Sequence, residues 1–255
     1  MKLTKLIATS AIVLTALSTT SVALAADGGV YKSTGSVEFV PNDGITPPVD
    51  PTDPGKEVTP TDPDGEKPNP GTAGPLSIDY ASSLSFGQNK ITNKDVTYFA
   101  EPQKLDDGTT RENFVQVTDT RGTNGGWTLT VKQEGQLKNA TTTNKELVGA
   151  VLSFTSGRAV SAATTITAPI VKDVVLNPTG EASTVMSAAP GGGSLTWLDV
   201  FGTLEDTEVN GETVQKNKAI TLSIPGTTPK DAVKYSTDLT WTLSDVPANT
   251  PEENA

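Results

Sequence analysis

Apolar and polar residues alternate in short runs between Leu76 and Pro247. The runs are four to seven residues long, are rich in β-branched and aromatic residues, and are separated by Gly, Asn or Asp. This pattern is typical of many short β-strands. We find no amphipathic helical stretch of twelve or more residues. The clearest predicted strands are Phe114–Val117, Trp127–Val131, Val148–Phe154, Ile170–Leu176, Ala219–Ile224 and Leu239–Leu243.

A tight turn is predicted at Asn210-Gly211 within the run from Val209 to Val214, because a type I′ hairpin needs two central residues that tolerate positive φ. Residues 76–247 are numerous enough to enclose a core without disulfides. We therefore expect an all-β chain with a single β-sandwich or partly closed barrel-like domain over residues 76–247, preceded by a disordered Pro-rich linker.

The region ahead of this domain, residues 26–75, has a different composition. Residues 41–75 hold 10 of the 18 prolines and almost no apolar side chains. Such a segment cannot offset its ordering entropy, which predicts a solvated, polyproline-like spacer. Within residues 27–40, the alternating run Ser36–Val40 is compatible with an added strand or with a disordered tail.

The first 25 residues predict a secretory signal peptide, with basic Lys2 and Lys5, a short apolar stretch, and the small-residue ending Ala23-Leu24-Ala25. We expect cleavage after Ala25 or Ala26, and a short tail at residues 248–255. No other stretch approaches the length of a membrane span. A lipid-anchor cysteine and an LPxTG-like sorting signal are also missing, so we expect a secreted protein at the cell wall or extracellular surface without a covalent anchor.

The chain contains no Cys and no His. This excludes disulfides, Ser-His-Asp triads, cysteine nucleophiles and zinc sites of the usual type. The net charge of −11 disfavours nucleic acid and anionic lipid as partners. The acid pairs Asp106-Asp107 and Glu205-Asp206 are conceivable glycosidase carboxylates, but they lie beside turn residues, where solvated acids are common. We expect no enzyme activity, no catalytic residues, no metal and no cofactor.

Two of the three tryptophans occur in the tripeptide Trp-Thr-Leu. Residues i and i+2 of a strand share a face, so Trp127 with Leu129, and Trp241 with Leu243, form two apolar stripes that are expected to pair in space. Core packing is the favoured interpretation, and it requires a hydrogen-bond partner for each buried indole N–H. The alternative is a platform for sugar rings or for a partner's apolar segment. The run Pro190–Ser194 is interpreted as a flexible glycine-rich loop.

The stretches VTDTRGTNGGWTLTV (117–131) and YSTDLTWTLSDVP (235–247) resemble the WxL domain of cell-surface proteins from low-GC Gram-positive bacteria. Leu84–Gly87 and the AAPGGGSLTWLDVFG run are also similar to that family. The resemblance covers roughly residues 76–247. It implies a C-terminal domain that attaches non-covalently to peptidoglycan, with Trp127, Leu129, Trp241 and Leu243 as the motif residues.

Two functions follow as hypotheses. The first is a non-catalytic cell-surface protein that binds peptidoglycan through the WxL domain. The second is a subunit of a multiprotein surface complex that reaches the wall or a host ligand through a partner, such as another WxL-type or neighbouring surface protein. The acidic charge favours the second to some extent, because wall polymers are also anionic. A host-ligand adhesin and a wall hydrolase are weaker alternatives.

Overall fold

The computed structural model describes residues 29–209 and 211–247. The expected signal peptide and the tail at 248–255 lie outside these residues. The described residues fall into two units, residues 29–38 and the residues from 39 onward. In the first unit, the described residues 29–38 form no strand or helix, and all are exposed.

The described part of the second unit consists of β-strands and contains no helix, which confirms the predicted all-β class. No helix of the described residues is therefore long and apolar enough to cross a membrane. In chain order the strands are β1 (Val49–Asp50), β2 (Asp53–Glu57), β3 (Pro60–Thr61), β4 (Leu76–Ala81), β5 (Val96–Ala100), β6 (Gln103–Leu105), β7 (Thr110–Arg111), β8 (Phe114–Asp119), β9 (Trp127–Gln133), β10 (Val151–Phe154), β11 (Gly157–Val160), β12 (Ile170–Val171), β13 (Val174–Val175), β14 (Ser183–Ala188), β15 (Leu195–Phe201), β16 (Leu204–Val209), β17 (Glu212–Ile224) and β18 (Leu239–Ser244).

Three antiparallel sheets form the body of this unit. Sheet I has the order β11-β15-β8-β4, sheet II the order β13-β10-β17-β16 with β5 also paired to β17, and sheet III the order β12-β14-β9-β18. The sheets contact one another where β18 meets β4, β13 meets β14 and β15 meets β17, which gives a ring-like arrangement. Two smaller sheets, β1-β2 and β3-β6-β7, complete the described topology.

The main core lies between the three large sheets. Val117 of sheet I, Phe154 of sheet II and Leu129 of sheet III all belong to this one buried cluster. Alternation along each strand explains this, because every second side chain points to the same side of its sheet. Each large apolar side chain removed from water contributes about 1.5–3 kcal/mol, which allows a fold without disulfides to be stable.

The Pro- and Asp-rich segment differs from the spacer that its composition predicts, because residues 49–61 contain three short strands. β1 and β2 form a hairpin, and β3 pairs with β6. Asp50 is buried and accepts hydrogen bonds from Nε and Nη2 of Arg111, both at 2.8 Å. The composition of a segment shows how many apolar side chains it can bury. It does not show whether a buried ion pair holds a polar segment in place.

A buried glutamine attaches the chain before β1 to sheet I. Gln116 Oε1 accepts a 2.8 Å hydrogen bond from Val49 N, while its Nε2 donates to Pro47 O at 3.0 Å and to Asp79 Oδ2 at 2.8 Å. Burial raises the pKa of Asp79, and hydrogen bonds from neighbouring hydroxyl and amide groups oppose this shift. Residues 47–50 therefore form part of the folded unit.

The predicted strands differ from the observed ones mainly in their bounds. The predicted run Ile170–Leu176 is divided: β12 joins β14 in sheet III, and β13 joins β10 in sheet II. The predicted hairpin is present as β16 and β17, with Gly211 at a φ of 90° in the connection. Its other central residue, Asn210, is outside the described residues.

Candidate functional site

The two Trp-Thr-Leu motifs lie on adjacent antiparallel strands of sheet III. β9 carries the first motif and β18 the second, with Trp241 opposite Val131 and Leu243 opposite Leu129. The apolar residues of both motifs belong to the main core cluster or pack against it. The two stripes expected from the sequence therefore form one apolar surface, although the strands are far apart in the chain.

Trp127 is completely enclosed, and its indole Nε1 donates a 2.9 Å hydrogen bond to the carbonyl of Gly193. Gly193 has a φ of 69°. A β-carbon at this position would lie 2.8 Å from Trp127 Nε1 and 2.3 Å from Ala188 Cβ, so only glycine fits without a shift of its neighbours. The first motif tryptophan thus fixes a glycine of a distant loop.

The same loop is held by a second tryptophan. Trp197 is buried on β15, and its Nε1 donates a 2.9 Å hydrogen bond to Ser194 O. We call residues Pro190–Ser194 the glycine loop. The interpretation of this loop as flexible is wrong, because two buried indoles bind two successive carbonyl groups of it.

The turn before Trp127 packs against the glycine loop. Asn124 O accepts a 2.8 Å hydrogen bond from Gly191 N, and Asn124 Oδ1 accepts one of 2.7 Å from Ser194 Oγ. Arg121 stabilises this turn from within, through a 2.8 Å ion pair with Asp119 and a 2.7 Å hydrogen bond to Gly126 O. The turn and the loop therefore form one connected surface.

Two non-glycine residues in this surface have left-handed backbone conformations. Asn124 has a φ of 52° and Leu195 a φ of 66°. Leucine rarely adopts this conformation, which costs of the order of 1–2 kcal/mol, and such positions concentrate at functional sites. The Leu195 side chain is nevertheless 51% exposed. We call Asn124, Gly191 and Leu195 the loop surface. It offers an apolar contact and hydrogen-bonding groups, and none of its three side chains titrates.

The second motif is placed differently from the first. Trp241 and Leu243 are partly exposed, whereas Trp127 and Leu129 are fully buried. Trp241 packs edge-on against Phe154, with ring centroids 6.0 Å apart and an interplanar angle of 77°. The two motifs share a sheet, yet only the second retains side-chain surface that another molecule can reach.

The four acids considered for catalysis are all exposed. Hydrogen bonds from Thr109 lower the pKa of Asp107, which is the direction opposite to the one that a general acid requires. Glu205 is paired with Lys218 at 2.8 Å.

The sequence did not predict that Asn124, Gly191 and Leu195 form one surface, nor that Gly193 accepts the indole hydrogen bond of Trp127 beneath it. A signal is visible in retrospect, since a Gly-rich turn stands directly before Trp127 and another stands shortly before Trp197. The left-handed conformation of Leu195 could not be predicted from the local sequence, because it results from tertiary contacts.

Comparison with known proteins identifies one family. The model for the "WxL domain surface cell wall-binding" family matches residues 26–247, and it therefore includes the segment that composition sets apart as a linker. The match contains both Trp-Thr-Leu motifs, the glycine loop and β1 to β3. Searches of curated proteins and of solved structures find no match.

Proposed function

The chain belongs to the WxL family of cell-wall-binding surface domains, and we propose that it is a non-catalytic, exported protein held non-covalently on peptidoglycan by this domain. The observation that carries the proposal is the family match over residues 26–247, which includes every residue that the structure describes. The N-terminal leader supplies the export step in this proposal.

The loop surface is the proposed contact with the wall. A sugar ring presents an apolar face together with hydroxyl groups, and the loop surface offers an exposed leucine beside backbone and amide groups. The indoles of Trp127 and Trp197 hold the glycine loop from below by hydrogen bonds of 2.9 Å each. A surface fixed before binding loses less entropy on contact with a ligand, and this supports assigning the buried tryptophan a role beneath the site.

The negative charge of the protein supports a contact with the wall that does not depend on charge. At a net charge of −11, the chain is repelled by anionic wall polymers, so attraction through its overall field cannot hold it at the wall. Binding by hydrogen bonds and apolar contact persists when salt screens charge. We therefore expect retention on peptidoglycan to be preserved, or strengthened, as the salt concentration rises.

Co-sedimentation with purified sacculi tests this proposal. Leu195→Gly removes the exposed side chain and relieves the left-handed strain, so the variant should remain folded and lose retention. Val148→Ala is the matched control, because it shortens another exposed apolar side chain distant in sequence from the loop surface. Circular dichroism confirms folding of both variants before the assay.

Loss of retention in Leu195→Gly, with normal retention of Val148→Ala, supports the loop surface. Equal retention of both variants would remove the loop surface from the proposal and leave the wall contact elsewhere on the domain. Failure of the unaltered protein to sediment with sacculi at any salt concentration would overturn direct binding.

The second candidate function is a subunit of a surface complex that reaches the wall through a partner protein. The partly exposed second motif favours it, because Trp241 and Leu243 leave apolar surface available on sheet III. Sacculi stripped of proteins by detergent and protease distinguish the two candidates. Direct binding persists on stripped sacculi, whereas binding through a partner is lost on them and returns when untreated walls are used.

A further inference from the structure

The β16–β17 hairpin, strands β6 and β7, and the loop that follows β4 border a cleft of about 460 Å³. We call it the hairpin cleft, and the lining residues that decide its chemistry are Phe86, Gly87, Glu101, Lys104, Glu212 and Lys216. Its volume falls in the range of sites for small ligands. Phe86 and Gly87 belong to the run Leu84–Gly87, which is similar to the WxL family and has no part in the Trp-Thr-Leu motifs or in the loop surface.

Lys216 brings a positive charge to the wall of this cleft. Its side chain is only 8% exposed, and its Nζ lies 3.6 Å from Glu101 Oε1, which is beyond hydrogen-bond distance. Within residues 29–209 and 211–247, this Nζ has no hydrogen-bond acceptor. Buried charges in proteins are as a rule both paired and hydrogen-bonded. The Lys216 ammonium therefore keeps hydrogen-bond donors available for a ligand in the cleft.

Gly87 leaves this ammonium open to the cleft. Its φ is 73°, and a β-carbon there would lie 3.0 Å from Glu101 Oε1 and 3.4 Å from Lys216 Nζ. Any other residue would therefore place a side chain against the ion pair, and its backbone would be strained. Glu101 N donates to Ser85 O at 2.7 Å and Gly87 N donates to Ser85 Oγ at 3.2 Å, so the glycine is held in this position.

Hydrogen bonds fix the walls of the hairpin cleft. Thr110 Oγ1 on β7 donates a 3.1 Å hydrogen bond to Gln215 Oε1 on β17. Asn89 Nδ2 donates to the carbonyl groups of Phe86 and Gly87 at 3.0 and 3.3 Å, which closes the loop after β4 on itself. A site that is shaped before binding loses less entropy on contact with a ligand.

The charges that line the cleft balance one another, since Lys104 and Lys216 are matched by Glu101 and Glu212. A simple anion would be repelled by the net charge of −11. A ligand with one positive and one negative group avoids this repulsion and finds an opposite charge for each group in the cleft. Phe86 offers an apolar wall for the aliphatic part of such a ligand. The chemistry of the cleft therefore fits a short zwitterionic peptide.

We propose that the hairpin cleft binds a short peptide with a free carboxylate and a free ammonium group, as in the uncross-linked peptide stems of peptidoglycan. The Lys216 ammonium donates charge-assisted hydrogen bonds to the peptide carboxylate, and Glu212 accepts one from the peptide ammonium. Because Lys216 is mostly buried, salt screens this contact less than one on the open surface. The inference rests on the proposed function for the source of the peptide, and it adds a second contact with the same polymer.

Isothermal titration calorimetry of the full chain tests the ligand class. The probe is N-acetyl-lysyl-D-alanyl-D-alanine, which carries a side-chain ammonium and a terminal carboxylate. We expect it to bind, and we expect conversion of its carboxylate to an amide to weaken binding about tenfold or more, because the charge-assisted hydrogen bonds to Lys216 are lost. Acetylation of its side-chain amine should also weaken binding. Equal affinity of the acid and the amide would overturn the inference, and so would tighter binding of the all-L isomer, which represents a protein terminus.

Lys216→Met tests the site. It removes the ammonium, keeps an unbranched side chain, and should weaken binding of the probe about tenfold or more. Lys218→Met is the matched control, because Lys218 lies on the same strand and pairs with Glu205 outside the cleft. This control should bind the probe as the unaltered protein does. An equal loss in both variants would mean that overall charge, and not the cleft, determines binding, which contradicts the inference.

Nuclear magnetic resonance of the unaltered, isotope-labelled chain keeps the inference testable if Lys216→Met does not fold. The probe should shift the amide signals of Gly87 and Lys216 and leave those of Gly191 and Leu195 in the loop surface unchanged. Shifts at the loop surface alone would overturn the inference. A protein that sediments with sacculi but does not bind the probe would also overturn it, and that result would leave the proposed function intact.

Discussion

The indole N–H of Trp127 donates a 2.9 Å hydrogen bond to the carbonyl of Gly193, a residue 66 positions further along the chain. The bond joins the first Trp-Thr-Leu motif to the glycine loop, and it connects core packing with a surface feature. Trp127 holds a loop at the surface in place, although its own side chain is fully buried. Gly193 is therefore as necessary as Trp127 for this contact between the core and the glycine loop.

Gly193→Ala should strongly destabilise the protein. Its β-carbon would meet Trp127 and Ala188, and the φ of 69° disfavours any side chain. Strain of the backbone and overpacking together cost roughly 2–5 kcal/mol. Urea unfolding measures the free energy of unfolding of this variant against that of the unaltered protein.

Gly191→Ala is the control for that measurement. Gly191 also has a positive φ, of 87°, but no atom lies within 4 Å of its hypothetical β-carbon. Gly191→Ala should lower the free energy of unfolding only by the cost of backbone strain, about 1–2 kcal/mol. Equal losses at the two positions would mean that the contact with Trp127 contributes nothing.

The two motif tryptophans should respond differently to truncation. Trp127→Ala removes a fully buried ring and the anchor of the glycine loop, so we expect a loss of about 3–5 kcal/mol. Trp241→Ala should cost clearly less, because part of that ring is already in contact with water and the cavity is open. Thermal unfolding followed by near-UV circular dichroism compares them, and a larger loss for Trp241→Ala would contradict the burial of the two rings.

The sequence predicted the strands that carry strong local alternation, and it predicted the pairing of the two motifs. β8, β9 and β18 begin where the pattern places them, because β-branched and aromatic residues at every second position fit a half-buried strand whatever its partner. The run Ile170–Leu176 failed as one strand, because its two halves find partners in different sheets. That change depends on contacts distant in sequence.

The candidate site was predictable only in part. Strand geometry predicted that Trp127 and Leu129 lie on the same face. The chemistry of a buried indole N–H predicted that it has a hydrogen-bond acceptor. The identity of the acceptor, Gly193, required the fold. The attachment of Asp50 to Arg111 was equally invisible, because a single ion pair within a proline-rich segment does not change its composition.

Arg111→Ala should release β1 and β2 from the domain. The Arg111 guanidinium holds the pKa of the Asp50 carboxyl well below its usual range, and its removal leaves a buried carboxylate without its ion pair. Breaking such a pair costs roughly 3 kcal/mol. Limited proteolysis should show new cleavage within residues 49–57. Because the pKa of Asp50 is lowered in the folded state, the unaltered protein gains this stability above about pH 4 and loses it on acidification.

Lys218→Ala is the matched control for the ion pair. Lys218 and Glu205 also lie 2.8 Å apart, but both side chains are substantially exposed, so the loss should be below about 1 kcal/mol. If Arg111→Ala resists proteolysis as well as Lys218→Ala does, the Pro-rich segment is held by its backbone hydrogen bonds alone.

Asp199 should make the protein less stable as the pH rises toward 8. Burial raises the pKa of this carboxyl from 3.8 to about 8, and repulsion from Asp173 adds to the shift. The folded state therefore binds the proton more tightly than the unfolded state does. The stability from protonation is fully present below about pH 4, and it falls by up to about 1.4 kcal/mol per pH unit until the folded state also ionises. Asp199→Asn cannot ionise and should lack this contribution. Urea unfolding of both proteins between pH 4 and pH 8 measures the difference: the variant should gain stability relative to the unaltered protein as the pH rises, and parallel pH profiles would show that Asp199 is already ionised in the fold.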